Sequence, residues 1–410
     1  MIHRLPTATG ALLAAAALAA LAALPACTFL NRGFTYARID PILDVGWYAP
    51  SEFVVGNPGT PLPTDTDEDT TLPRQALLRV TDYARRMKSC ALLVLHHGRI
   101  VLERYWCGRT RASRYQTQSL AKPVLALLTG LAIRDGRIPS VDTPVARYLP
   151  GWAGDARSAI TIRHLLQMTS GLDLGPLVRI HIGTDVRGYT LGVPAEFPPG
   201  RRYRYNNMNA QILGLLLEQV FGERYSQLLS RLLWRPLGAQ HASVWLDIPG
   251  GTAKTYCCLM ATARDWARIG LLLQHRGRVG SRQVVPTRWI DAMLRPSARN
   301  PAFGYFAWLG NAHSPGRRHD WKKPFLAQDT VVLMGRREQR VFVIRSHGLV
   351  IVRIGREAGP RWEDTFLPNT LVRALLRQAP RMQPPRMQQP RMQQPRMQPP
   401  RKQPPRQRKP

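Results

Sequence analysis

The sequence predicts an α/β chain of the α+β kind: an antiparallel sheet flanked by helices, with a mainly helical lobe inserted. Three observations carry this. Two strand-like runs come early, helical periodicity fills the middle, and four strand-like runs return before a last amphipathic helix. That order builds one sheet from both chain ends. It differs from the alternating strand–helix repeat of a doubly wound fold.

Residues 73–88 place Leu77, Leu78, Val80, Tyr83, Ala84 and Met87 at helical spacing behind Pro73. Cys90 to Leu95 and Ile100 to Tyr105 read as strands around a His97-Gly98 turn. Leu120 to Arg134 is a helix stopped at Gly136, and Thr161 caps a short helix to Met168. Asn209 to Phe221 and Tyr225 to Leu233 add two more helices. Phe303–Leu309, Thr330–Met334, Val341–Ile344 and Leu349–Ile354 are the late strands, and a helix of about Asp364 to Arg377 closes the globular part.

The chain divides into four parts. Residues 1–27 read as an export signal: His3 and Arg4 precede an apolar Ala/Leu run from Gly10 to Leu24, shorter than the ~20 residues a spanning helix needs. It ends in Leu24-Pro25-Ala26-Cys27, which resembles a bacterial lipobox with Cys27 as the lipidated residue. The alternative is a conventional signal followed by a chance cysteine. Residues 28–72, proline-rich with an acidic, threonine-rich patch, are expected to wrap the surface. Residues 73–379 form the domain, and 380–410 are a low-complexity Pro/Arg/Met/Gln tail expected to be disordered. The expected location is the bacterial cell envelope or periplasm, with a lipid anchor.

Composition excludes several classes. Hydrophobic residues at 44% and aromatics at 8% of 410 suffice for a core. Five cysteines are too few for a disulfide scaffold, and neither Cys-x-x-Cys nor His-Glu-x-x-His occurs, so no metal and no cofactor is expected. Cys257-Cys258 reads as a buried thiol pair. Cys90 and Cys107 flank one hairpin, but the His97-Gly98 turn sets residue 105 opposite 90, so a disulfide there needs a bulge. The net charge of +32 includes nine basic groups and no acid in 380–410. Such a surface and tail suit anionic lipid or an anionic envelope polymer. No motif accompanies it that specifies a nucleic acid. The sequence gives no oligomeric state.

Chemistry concentrates in a few residues. Ser119 and Lys122 lie three apart at a helix start, where an amine reaches the hydroxyl and the helix end favours an oxyanion. Alone, Ser-x-x-Lys is a weak signal. Thr161 to Leu172 (Thr-Ile-Arg-His-Leu-Leu-Gln-Met-Thr-Ser-Gly-Leu) and Phe197-Pro198-Pro199-Gly200 with Tyr203-Arg204-Tyr205-Asn206-Asn207 give it context. Together these motifs resemble the serine β-lactamase and penicillin-binding-protein superfamily over about 73–378. The nearest branch is the class-C-like one with esterases, DD-peptidases and 6-aminohexanoate-dimer hydrolase.

The resemblance implies that fold and a serine hydrolase acting on an ester or amide through an acyl-enzyme. Ser119 is the implied nucleophile and Lys122 its proton partner. Tyr205 is the implied general base and acid, sharing a proton with Lys122, and Asn207 the third member of Tyr-x-Asn. His164 and Arg264-Asp265-Trp266-Ala267-Arg268 match family positions and read as structural. The third motif departs. Arg336-Arg337-Glu338 stands where the family brings Lys-Thr-Gly or His-x-Gly to the site, so substrate binding is expected from Arg336, Arg337 and Glu338. Glu338, at the glycine position, is expected to disfavour penicillins by repelling an entering carboxylate. Ser346-His347-Gly348 falls in a turn away from that edge. Other expected readings are a DD-peptidase or β-lactamase, and a catalytically impaired envelope lipoprotein with a binding or scaffolding role.

Overall fold

The computed structural model describes residues 27–59, 61–65, 70–310, 321 and 323–378. The segment expected to be an export signal, up to residue 26, and the basic repeat tail lie outside them. No helix of the described residues is long and apolar enough to cross a membrane.

A six-stranded antiparallel sheet runs in the order β3-β2-β12-β11-β10-β9. It pairs the early hairpin β2 (Ser89–His96) and β3 (Arg99–Tyr105) with the late strands β9 (Trp308–Leu309), β10 (Thr330–Gly335), β11 (Gln339–Ile344) and β12 (Leu349–Gly355). β2 and β12 are buried along their whole length, so neither shows polar alternation. Helix α9 (Ala263–Gln274) packs where Gly270 meets Val341 and Val350. On the opposite face, Arg353 reaches the carbonyl of Met87 just past helix α2 (Arg74–Arg86). Positions 350 and 353 differ in parity along one strand, which puts α9 and α2 on opposite faces. Helix α11 (Phe366–Gln378) joins α2 by stacking Phe366 on Tyr83.

Between the hairpin and the late strands lies the helical lobe: α3 (Ala121–Arg134), α4 (Ile162–Leu166), α5 (Leu177–His181), α6 (Val186–Leu191), α7 (Asn207–Phe221) and α8 (Tyr225–Leu229). The second lobe helix expected to Leu233 changes character after Leu229, continuing as a π-turn over Ser230–Trp234.

Two expectations change, and the pairing of Cys90 with Cys107, left open above, is answered. Residues 28–72 are more than a surface wrapping. Residues 27–36 are helical (α1), Ser51–Val54 (β1) pairs with β5 (Ala242–Trp245), and Ile42 and Val54 are fully buried. β1 thereby edges a second sheet, β1-β5-β6-β4, with β6 (Leu259–Thr262) and β4 (Arg114–Gln116). The run Phe303–Leu309 yields a strand only at Trp308–Leu309. Phe306 takes a left-handed backbone, and Gly304 packs its Cα against the carbonyl of Met293, so the rest is a buried turn. Finally, Cys90 and Cys107 are bonded. The register shifts between Val94 and Leu95, Ala91 instead of Cys90 faces Tyr105, and the slip brings the two sulfurs together.

Candidate active site

Ser119 sits in a single 3-10 turn, Gln118–Leu120, that runs directly into α3. Gln118 before it has φ +56°, a conformation a side chain rarely holds without support. Support comes from two sides. The Gln116 side-chain carbonyl accepts the Gln118 N–H at 3.1 Å. Gly335, at the end of β10, allows the Thr117 carbonyl so close that a Cβ there would stand 2.2 Å away. The nucleophile loop is thus wedged between strand and helix.

Lys122 places its Nζ 2.8 Å from Ser119 Oγ and donates to the carbonyl of Tyr256 at 2.8 Å. It is 2% exposed, and burial drives its pKa well below that of a free lysine. The amine lies 5.2 Å from the Tyr205 ring centre and 5.6 Å from that of Tyr256. Burial raises the Tyr205 phenol to about 12, against a hydrogen bond with Ser119 that pulls the other way. Desolvation penalises both charged forms, which favours the uncharged amine beside the uncharged phenol, a pair that still holds the one proton expected to be shared. Asn207 opens α7 beside them, and Asn206 caps that helix, its side chain accepting the N–H of Met208.

Ser119, Tyr205, Asn207 and Arg336 line one pocket of about 440 Å³, with apolar walls from Leu177, Val178 and Ile182. Gly33 and Tyr36 of α1 complete it. Of the three residues expected to bind substrate, only Arg336 faces this space. Arg337 turns to Asp40, 3.5 Å away, and the Glu338 carboxylate accepts the N–H of Ala358 at 2.8 Å. Both residues have positive φ, +60° and +56°, because the tight β10–β11 turn requires it whatever the side chains. Glu338 therefore does not repel a carboxylate in the pocket.

The supporting residues behave as expected. His164 closes a capping box with Thr161, its Nδ1 accepting the Thr161 N–H at 3.1 Å. Asp265 closes another with Thr262, and Arg264 grips Glu103 with two nitrogens. Ser346 bonds Asp329 in the β11–β12 turn, away from the pocket.

Two pocket residues carry no motif. Tyr256 supplies the carbonyl that holds Lys122, and its hydroxyl lies 2.9 Å from Nδ1 of His181. His181, buried at the end of α5, is kept neutral by burial, with a pKa near 3. The buried Lys254 donates to the carbonyls of Ile180, His181 and Gly183, pinning that wall. Cys257 and Cys258, expected as free thiols, are joined as a vicinal disulfide, and Cys257 lines the pocket.

A serine and buried lysine at a helix start, faced by a tyrosine, between an antiparallel sheet and a helical lobe, define the serine β-lactamase and penicillin-binding-protein class. Comparison with known proteins agrees. The family model described as Beta-lactamase matches residues 74–365, and the chain belongs to that family of serine hydrolases. It is similar to the 6-aminohexanoate-dimer hydrolase of Paenarthrobacter ureafaciens, 27% identical over 63% of this chain and 74% of that protein. It is also similar to esterase EstB of Burkholderia gladioli, 27% identical over 38% of this chain but only 46% of that protein. Among solved structures, a class C β-lactamase from Rhodobacter sphaeroides shares the fold at a TM-score of 0.53 and 17% identity, covering 74% of this chain and 98% of the other.

Proposed function

We propose that the chain is an exported hydrolase that opens an ester or amide through an acyl-enzyme on Ser119. The carrying observation is the 2.8 Å contact between Ser119 Oγ and an amine whose pKa burial drives well below that of a free lysine. A serine hydroxyl needs an adjacent base, and a free lysine is protonated and useless as one. Here Lys122 donates one N–H to the Tyr256 carbonyl and offers its lone pair to the serine proton. Ser119 Oγ then bonds the substrate carbonyl carbon, and the proton passes by way of Tyr205 to the departing alcohol or amine. Water releases the acyl group by the same route in reverse. The neutral phenol of Tyr205 acts as the acid, and the base role expected of it falls to Lys122.

The pocket describes the substrate: an apolar acyl or alkyl part against Leu177, Val178 and Ile182, with Arg336 at its mouth to attract an anionic group. An esterase and an amide hydrolase among the similar proteins support both bond types. The test incubates the protein with p-nitrophenyl esters, with and without a carboxylate, and with nitrocefin. Mass spectrometry should find one acyl adduct on Ser119, and Ser119→Ala should lose adduct and turnover together. A folded wild-type protein that forms no adduct supports the binding or scaffolding role instead. Efficient nitrocefin turnover supports the β-lactamase reading.

The location rests on Cys27, which is exposed and starts α1. A lipid there would tether the protein only a few turns from Gly33 and Tyr36 at the pocket. Cys27→Ser should move the protein from the membrane to the soluble envelope fraction. Wild-type protein already soluble there defeats the anchor. Anionic lipid or envelope polymer remains the proposed partner of the tail.

A further inference from the structure

One cluster of reactive groups plays no part in the hydrolysis. A ring nitrogen of His181 and the sulfurs of Cys257 and Cys258 lie within 4.8 Å of one another, all three residues buried. His181 comes from the end of α5 and the cysteines from the turn before β6, so the fold alone brings them together. We propose that His181, Cys257 and Cys258, with the disulfide reduced, form a site for one thiophilic metal ion that inhibits the enzyme from the pocket wall. This rests on the pocket being the hydrolytic site.

The donor set has the right chemistry. Two thiolates and a neutral imidazole form a Cys₂His set, which suits zinc and softer ions such as cadmium and leaves a coordination position open. His181 Nε2 is buried without a hydrogen-bond partner among the described residues.

The balance of the reaction is simple. Two molecules of a small thiol reduce the Cys257–Cys258 disulfide and become one disulfide themselves. A divalent ion then displaces the two cysteine protons to solvent. In the oxidised state neither sulfur offers a thiolate, so the site exists only after reduction.

Inhibition follows from position. Cys257 and His181 both line the pocket that holds Ser119, so a bound ion and its fourth ligand occupy space meant for substrate. Tyr256, next in the chain to Cys257, holds Lys122 through its carbonyl and His181 through its hydroxyl. A ligand set drawn together there also disturbs the amine that activates the serine.

The experiment titrates cadmium into the full chain, oxidised and after thiol reduction, and reads sulfur-to-metal charge-transfer absorption together with bound metal per chain. In a Cys90→Ser/Cys107→Ser background, which removes the other pair of thiols that reduction would release, one ion per reduced chain is expected, and none at this site in the oxidised chain. Cys257→Ser/Cys258→Ser should abolish the absorption band, and His181→Ala should weaken binding at least tenfold. Circular dichroism checks that the variants are folded, and the oxidised wild type is a control that needs no substitution. Ester hydrolysis by the reduced protein should fall as the ion binds and recover with chelator. A reduced, folded wild type that binds no ion at these cysteines, or a band unchanged in the double variant, overturns the site. Binding without loss of turnover overturns its inhibitory role. Because binding is read directly, it succeeds or fails even if the pocket hydrolyses nothing.

Discussion

Lys122→Met should lower kcat/KM for an activated ester by on the order of 10³-fold or more, while leaving the protein at least as stable as wild type. The loss follows from removing the amine that contacts Ser119 Oγ, since nucleophile and base act as a unit. The stability follows from linkage. Burial lowers the Lys122 pKa in the folded state, so below the unfolded value of 10.5 the unfolded chain holds a proton that the folded chain does not. That difference disfavours folding increasingly as pH falls toward the lowered value, and methionine removes it. The Tyr256 carbonyl left without its donor offsets part of the gain. Wild-type kcat/KM should rise with pH along an acid limb centred well below 10.5, where Lys122 loses its proton. It should stay level until Tyr205 ionises toward about 12. Lys122→Arg places a cation there that cannot lose its proton, and should be inactive without that limb. Substantial turnover by Lys122→Met would remove the lysine from the mechanism.

Much of this was legible in the residues because it is local. Ser119 and Lys122 meet through helix spacing, and Thr161 and His164 through a capping box; neither needs the rest of the fold. The order of strands foretold a sheet made from both ends of the chain, and β2 does pair with β12. What escaped depends on long-range placement. His181 and Cys257 are 76 positions apart, and only the docking of α5 against the turn before β6 makes them neighbours. β1 has four residues in a proline-rich segment, too short for a period-2 signal, and its strand character comes from its partner β5. The sequence shows that Lys122 and Tyr205 are placed to share a proton but not how far burial lowers the amine and raises the phenol. The motif Arg336-Arg337-Glu338 misled for another reason. Adjacent residues in a tight turn point to different sides, and only Arg336 reaches the pocket.

That turn is held by buried side chains, Gln339, Arg340 and above all Arg353. Arg353→Met should destabilise the protein by about 3 kcal/mol and reduce activity as well, although Arg353 touches no substrate. Its guanidinium is fully buried and makes five hydrogen bonds: to the carbonyls of Met87, Arg337, Glu338 and Arg356 and to the Ser89 hydroxyl. Two of those acceptors belong to the residues forced into left-handed backbone, which cost about 1–2 kcal/mol each without glycine. Arg353 thus stabilises the conformation that brings Arg336 to the pocket. Methionine can fill part of the space but donates nothing, and a buried carbonyl without a partner costs about 1–3 kcal/mol. Relief from burying the cation returns some of this, which is why the expected net is about 3 kcal/mol and less than the sum over five acceptors. For a domain of this size the melting temperature should fall by about 5 °C. The activity that survives should show a raised KM for carboxylate-bearing esters and little change for neutral ones, because the displaced group is Arg336. Arg353→Lys should rescue only part, since three ammonium donors cannot satisfy five acceptors. An equal loss toward neutral and acidic esters would mean that Arg353 supports the fold without setting the position of Arg336.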